Sequence, residues 1–204
     1  MAHTIYGARG TGSGIIEAAC AELGLEYETR DLDARNNEHR GEDYARINPQ
    51  RKLPALVMAS GETLTEALAI LLTLDERNPG VLLPPAGTAD RASAIRWMAF
   101  VAAEIYPLIE MEDYPERFAP DSPAALKERA QALLKERWRV VENAIASPYC
   151  VPSGYGAADL YITKVADWLD ADWRRQHLPK TESLMAKVRA RPSLAAVWAR
   201  HMPS

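Results

Sequence analysis

The sequence predicts an α/β unit followed by an all-helical one, and three observations carry that prediction. Short runs rich in β formers alternate with helical patterns only within residues 1–80. A Pro/Gly-rich break follows, Asn78-Pro79-Gly80 and then Leu83-Pro84-Pro85-Ala86-Gly87-Thr88, which sets 81–88 as a linker. Over 89–204 the apolar residues recur at helical spacing throughout.

His3 to Gly7 forms the first strand, and Ala8-Arg9-Gly10-Thr11-Gly12-Ser13-Gly14 is a glycine loop leading into a helix marked by Ile15, Ile16, Ala19, Cys20 and Leu23. Gly24 caps that helix, Leu25 to Asp31 gives a second strand, and Glu42 to Ile47 a short helical piece. Ala55 to Met58 turns at Ser60-Gly61, resumes at Thr63-Leu64, and feeds a helix running from Glu66 to about Arg77. The order is βαβ-α-ββα.

Two features of the hairpin suggest a peptide ligand. A proline at the mouth of a strand donates no ladder hydrogen bond, and a cis Leu53-Pro54 bond would leave the N–H and C=O of Leu53 free for a peptide backbone. Glu66 and Ala67 open a helix, where free N–H groups and the positive dipole end favour a bound carboxylate, while the Glu66 side chain can take an ammonium. A strand edge beside a charge-paired head-group pocket suits γ-glutamyl-cysteinyl-glycine.

In the second unit, Ala89 to Asp113 carries Ala92, Ile95, Met98, Ala102 and Ile105 at helical spacing, with a kink expected at Pro107. Pro115, Pro120 and Pro123 mark a turn before a long helix over Ala124 to Ala146. Gly154 to Ile162 opens a third helix, with Asp159 placed to reach back to its start as a folding residue. Thr181 to Ala190 and Pro192 to His201 complete the bundle.

With 204 residues, 48% of them hydrophobic, and a net charge of −4 spread among mixed-sign neighbours, no nucleic-acid surface is expected. Cys20 and Cys150 form no Cys-x-x-Cys pair, Cys20 lies on an apolar helical face, and a reducing cytoplasm fits. The four histidines lack metal-ligand spacing, so no metal is expected. No continuous apolar run nears the roughly 18 residues of a membrane span, and the N-terminus has no leader pattern, so neither membrane insertion nor export is expected. The glycine loop partly fits a dinucleotide fingerprint through Gly10, Gly12 and Asp31 or Asp33. Ile15 occupies its third glycine position, however, and the strands such a sheet needs are missing. A phosphate P-loop fails for want of Gly-Lys-Ser/Thr.

The stretch Lys52-Leu53-Pro54-Ala55-Leu56, a turn, then Leu64-Thr65-Glu66-Ala67-Leu68-Ala69-Ile70 resembles the signature of cytosolic glutathione S-transferases, and the resemblance spans nearly the whole chain. It implies a thioredoxin-like N-terminal domain, an all-helical C-terminal domain, and glutathione as co-substrate. It also implies Lys52, Leu53, Pro54, Glu66 and Ala67 as binding residues, with Ala67 where the family has serine. The catalytic group in the family lies just past strand one. Thr11 and Ser13 are the hydroxyls there; Gly12 occupies the cysteine-type position, so a serine/threonine-like site is implied, with Arg9 nearby. Ser13 also suits a helix N-cap. Met98, Tyr106, Ile109, Met111 and Tyr114 are expected to wall the acceptor pocket. The implied activity is conjugation of glutathione to small hydrophobic electrophiles, in detoxification, by a cytoplasmic homodimer. The alternatives are a non-catalytic glutathione-fold binding or scaffold protein, or a glutathione-dependent isomerase or dehalogenase.

Overall fold

The computed structural model describes residues 2–201, which divide into two compact units: residues through Pro85 together with those from Lys187 onward, and Ala86–Ala186. The sequence assigns everything after the linker to the helical domain; by contact, the last stretch belongs with the first unit instead.

In the first unit, β1 (His3–Gly7), β2 (Tyr27–Asp31), β3 (Ala55–Val57) and β4 (Thr63–Thr65) form one sheet in the order β2-β1-β3-β4. β2 runs parallel to β1, with His3 opposite Tyr27, and the other neighbours are antiparallel. The central strands are apolar, with Ile5, Ala55 and Leu56 buried. The edge strand β2 exposes Glu28, Thr29, Arg30 and Asp31, charges that discourage further strand pairing.

Helix α1 (Ser13–Glu22) joins β1 to β2, α2 (Glu42–Ala45) is a single turn, and α3 (Ala67–Arg77) follows β4. α1 buries Ile15, Ile16, Ala18, Ala19 and Cys20, and α3 buries Ile70, Leu71 and Leu74 at one helical spacing; the two helices touch. Two glycines permit the close packing of α1. A Cβ at Gly7 would lie 2.3 Å from the Ser13 hydroxyl, and one at Gly14 would lie 3.0 Å from the His201 ring. That histidine ends α10 (Ala195–His201), the helix by which the end of the chain returns to α1.

In the second unit, α4 (Ala89–Phe100) starts at Thr88, whose hydroxyl accepts from the Arg91 N–H at 3.2 Å. It runs through a π-helical turn, Val101–Ile105, into α5 (Tyr106–Asp113). The expected kink takes this form because Pro107 has no N–H for the carbonyl of residue 103, and the wider turn absorbs the gap. Ala89–Asp113 is long and apolar enough to cross a membrane by length and composition, with 28% of its most apolar window buried. The segment is not the unbroken apolar run sought in the sequence, since charged residues are interspersed along it. Mean composition alone cannot separate a spanning helix from a helix of a protein core.

α6 (Pro123–Ala144) buries Ala130, Leu134, Trp138 and Val141. α7 (Ala157–Ala166) is buried along its entire length. Its start is tied by Asp159, a fully buried carboxylate that accepts from the Cys150 N–H at 2.7 Å and the Gly156 N–H at 2.8 Å. With no side chain on Gly156, this is one half of a capping box. α8 (Ala171–His177), which no sequence pattern announced, is capped by Asp170. Its Arg174 donates to the Ala166 carbonyl at 2.7 Å. α9 (Pro179–Arg189) is capped by Glu142, which accepts from the N–H groups of Lys180 and Thr181.

Candidate functional site

Strand register brings three loops of the first unit together. Tyr6 pairs with Ala55, and Ala55 with Thr65. The chain beyond these residues therefore leaves the sheet at one end: Gly7–Ala8 after β1, Leu53–Pro54 before β3, and Glu66–Ala67 after β4.

The Leu53–Pro54 peptide is cis. Just before it, the Lys52 carbonyl accepts from the Tyr44 hydroxyl at 2.8 Å and the Asn48 amide at 2.7 Å, both from buried side chains. Burial, foremost, pushes the Tyr44 phenol up to about 12, so it stays a donor at neutral pH. The loop is thus clamped one residue ahead of Leu53. Pro54 is buried and Leu53 half-buried, and neither the N–H nor the C=O of Leu53 has a partner among the described residues. The expected open backbone edge is present.

Glu66 sits one position earlier than the sequence suggests. It is the residue before α3, held at φ +64°, a conformation rare outside glycine, and its carbonyl accepts from the Ile70 N–H at 2.9 Å. Its exposed carboxylate has no partner among the described residues, and no side chain caps α3. The first-turn N–H groups beginning at Ala67, itself 9% exposed, remain available to an anion.

The glycine loop distinguishes the two hydroxyls. Ser13 is the first helical residue, not the cap, and is fully buried, its hydroxyl donating to the Ala8 carbonyl at 3.2 Å. Thr11 is half-exposed; its hydroxyl donates to the same carbonyl at 2.7 Å, lies 3.2 Å from the Ser13 hydroxyl, and accepts from the Ser13 N–H at 3.4 Å. Ser13 therefore does not take the alternative cap role: Gly12 is the N-cap residue, and no side chain caps α1. The Gly12 N–H, in a buried residue at the start of α1, has no partner among the described residues. Thr11 can turn its proton outward and Gly12 has a proton to give; Ser13 does not reach solvent.

Arg9 and Lys52 are exposed cations on the two flanking loops. Cys20 is fully buried, and burial, with the Glu17 carboxylate adding to it, drives its thiol up to about 12, so it is packing and not a nucleophile. Of the expected acceptor-pocket residues, Met98 is instead fully buried core. Tyr106 packs edge-on against Trp168, and Tyr114 is exposed with the Arg117 guanidinium 3.7 Å above its ring. Both tyrosines belong to the second unit.

One set of residues has no signal in the sequence. The Gly10 N–H donates to His201 Nδ1 at 3.2 Å, across 191 positions. His201 Nε2 lies 2.8 Å from Glu17, whose other oxygen accepts from Arg200 at 3.0 Å; Arg200 also pairs with Asp31. Only the fold brings these groups together.

The sequence family described as glutathione S-transferase, N-terminal domain, matches residues 15–77. The chain is 28% identical over 200 residues to the uncharacterized GST-like protein YncG of Escherichia coli (strain K12), covering 97% of each. It is 27% identical to glutathione S-transferase GstA of Escherichia coli O157:H7, covering 76% of each. A crystal structure of a glutathione transferase homolog from Sulfitobacter with bound glutathione superposes with a TM-score of 0.90 at 27% identity, covering 97% of each chain.

Proposed function

Since the chain belongs to the cytosolic glutathione S-transferase family, we propose that it conjugates glutathione to small, hydrophobic electrophiles. The observation that carries this reading is the pairing of a Leu53 backbone and a Glu66 carboxylate, both without partners among the described residues, at one end of the sheet. The cysteinyl part of glutathione would pair with Leu53 as an added strand. Its γ-glutamyl ammonium would meet Glu66 while the neighbouring carboxylate takes the first-turn N–H groups of α3. That orientation directs the thiol toward the glycine loop.

There the Thr11 hydroxyl, the Gly12 N–H and the positive end of α1 would stabilise a thiolate and so lower the thiol's pKa. The thiolate attacks an electrophilic carbon, forming a C–S bond while the leaving group departs with its electron pair. Arg9 and Lys52 would add positive potential around the anion. We also place the protein in the cytoplasm, consistent with two free, buried cysteines, and as a homodimer, consistent with an Ala89–Asp113 segment only 28% buried at its most apolar.

A second reading, a glutathione-binding protein without turnover, is favoured by the Thr11 hydroxyl already engaged on Ala8 and by the alanine at 67. Calorimetry with glutathione, paired with turnover of a generic chloroarene, separates the two. Binding with turnover supports the transferase, and binding without turnover across a panel of electrophiles supports the scaffold. No binding at millimolar glutathione overturns both.

A further inference from the structure

The last described helix supplies a polar contact to the loop that carries Thr11 and Gly12. The Gly10 N–H meets His201 Nδ1, and Gly10 itself holds φ +77°, so this bond fixes the sharpest point of the loop. For Nδ1 to accept, the ring proton must reside on Nε2, where it donates to Glu17. Glu17 is 1% exposed and His201 3% exposed, so the orienting contact is shielded from water. Gly14 and Glu17 lie three residues apart on one face of α1; the first admits the ring and the second orients it. Arg200 secures the same carboxylate and ties it to Asp31 at the end of β2. Carboxylate, imidazole and loop N–H are therefore in series.

We infer that His201 is a positioning residue: by holding the Gly10 N–H, it sets the loop so that Thr11 and Gly12 face the glutathione thiol. This rests on the transferase reading above. Two consequences follow from where the contacts lie. The glutathione-holding groups, Leu53 and Glu66, are on other loops, so binding should be nearly indifferent to His201. Thiolate formation depends on the glycine loop, so the rate at saturation should not be.

Two substitutions divide the ring's roles. In His201→Asn the side-chain oxygen can take the place of Nδ1 and accept from Gly10. In His201→Gln the amide can reach the place of Nε2 and donate to Glu17, leaving Gly10 without its acceptor. Each purified full-length variant is assayed for glutathione affinity by calorimetry, for kcat with a chloroarene, and for the pKa of the bound thiol from the pH–rate profile. The expected result is a kcat lowered about tenfold in His201→Gln with a thiol pKa about one unit higher, which is that same tenfold expressed as thiolate fraction. Its glutathione affinity should stay within about threefold of wild type, and His201→Asn should stay within about threefold in every parameter. Equal kcat in the two variants, a loss confined to affinity, or unfolding of both assigns His201 to stability alone and overturns the inference. A wild-type protein that binds no glutathione overturns the transferase reading, and the positioning role with it. In that case the Gly10 amide resonance, kept in His201→Asn and shifted in His201→Gln, still reports the anchor.

Discussion

Replacing Asp159 by alanine removes an acceptor shared by two buried backbone donors. The carboxylate is fully buried and bonds the Cys150 N–H at 2.7 Å and the Gly156 N–H at 2.8 Å, tying the approach to α7 to its first turn. A hydrogen bond to a charged acceptor contributes about 1.5 to 3 kcal/mol, and a buried donor left unpaired costs about 1 to 3 kcal/mol. Because both donors stay buried when the side chain is cut back, losing the two bonds costs about 3 to 6 kcal/mol. For a chain of this length each kcal/mol shifts the melting temperature by roughly 2 to 4 °C, so Asp159→Ala should melt about 10 °C lower. Asp159→Asn keeps one oxygen but turns an NH2 toward the second donor, and should lose about half as much. Thermal and urea unfolding followed by circular dichroism measure both. Glutathione affinity, titrated well below the transition, should not move, since Asp159 lies in the other unit from Leu53 and Glu66. An Asp159→Ala protein melting within about 2 °C of wild type would refute the reasoning, because the two bonds could not then carry the energy assigned to them.

Thr11→Ala should raise the pKa of bound glutathione and slow conjugation, whereas Ser13→Ala should mainly cost about 1 kcal/mol of stability by removing a buried bond to Ala8; the opposite pattern in pH–rate profiles and melting curves would hand the donor role to Ser13. Ala67→Ser should add a hydrogen bond to the γ-glutamyl carboxylate, tightening glutathione about ten- to a hundredfold with kcat unchanged; a calorimetric titration showing no gain would remove the γ-glutamyl group from that position. His3 Nδ1 accepts from the Ala59 N–H at 3.2 Å, and its pKa is lowered first by burial and then by the Arg77 charge. The unfolded chain thus binds the proton more readily, so this contribution is present above the ordinary histidine value, about 6.5, and is lost as pH falls through the lower folded value. The melting temperature should drop on acidification through that window, and His3→Asn, which keeps an acceptor but does not titrate, should flatten the drop; an equal slope in both proteins would assign it to other groups.

The strands, the glycine loop and α3 were legible because each is written locally. Ile5 and Leu56 carry the β pattern, and Pro54 and Ser60-Gly61 punctuate the hairpin. Asp159 was legible for the same reason, since a cap lies within one turn of its donors. Ser13 suits a cap by spacing but is not one, because Gly7 lets the hydroxyl sink against β1, where it bonds Ala8. α8 is a helix of seven residues without an extended apolar stripe, held by Asp170 and by Arg174 on Ala166, and no periodicity reports such anchors. His201 was invisible as a site residue. A histidine near a chain end carries no mark of the glycine it will meet 191 positions earlier.

The first unit is discontinuous in the chain, and this affects its biosynthesis. Its sheet and first helices leave the ribosome early, yet the helix that supplies Arg200 and His201 to Glu17 follows only after Ala86–Ala186 has been made. At about 5 to 20 residues per second, that interval lasts several seconds to some twenty. Throughout it the nascent unit holds Glu17 without its two cationic or proton-donating neighbours, and the face of α1 at Gly14 is open to water. Translation speed across the middle of the message therefore sets how long an incomplete sheet domain is exposed to chaperones and proteases.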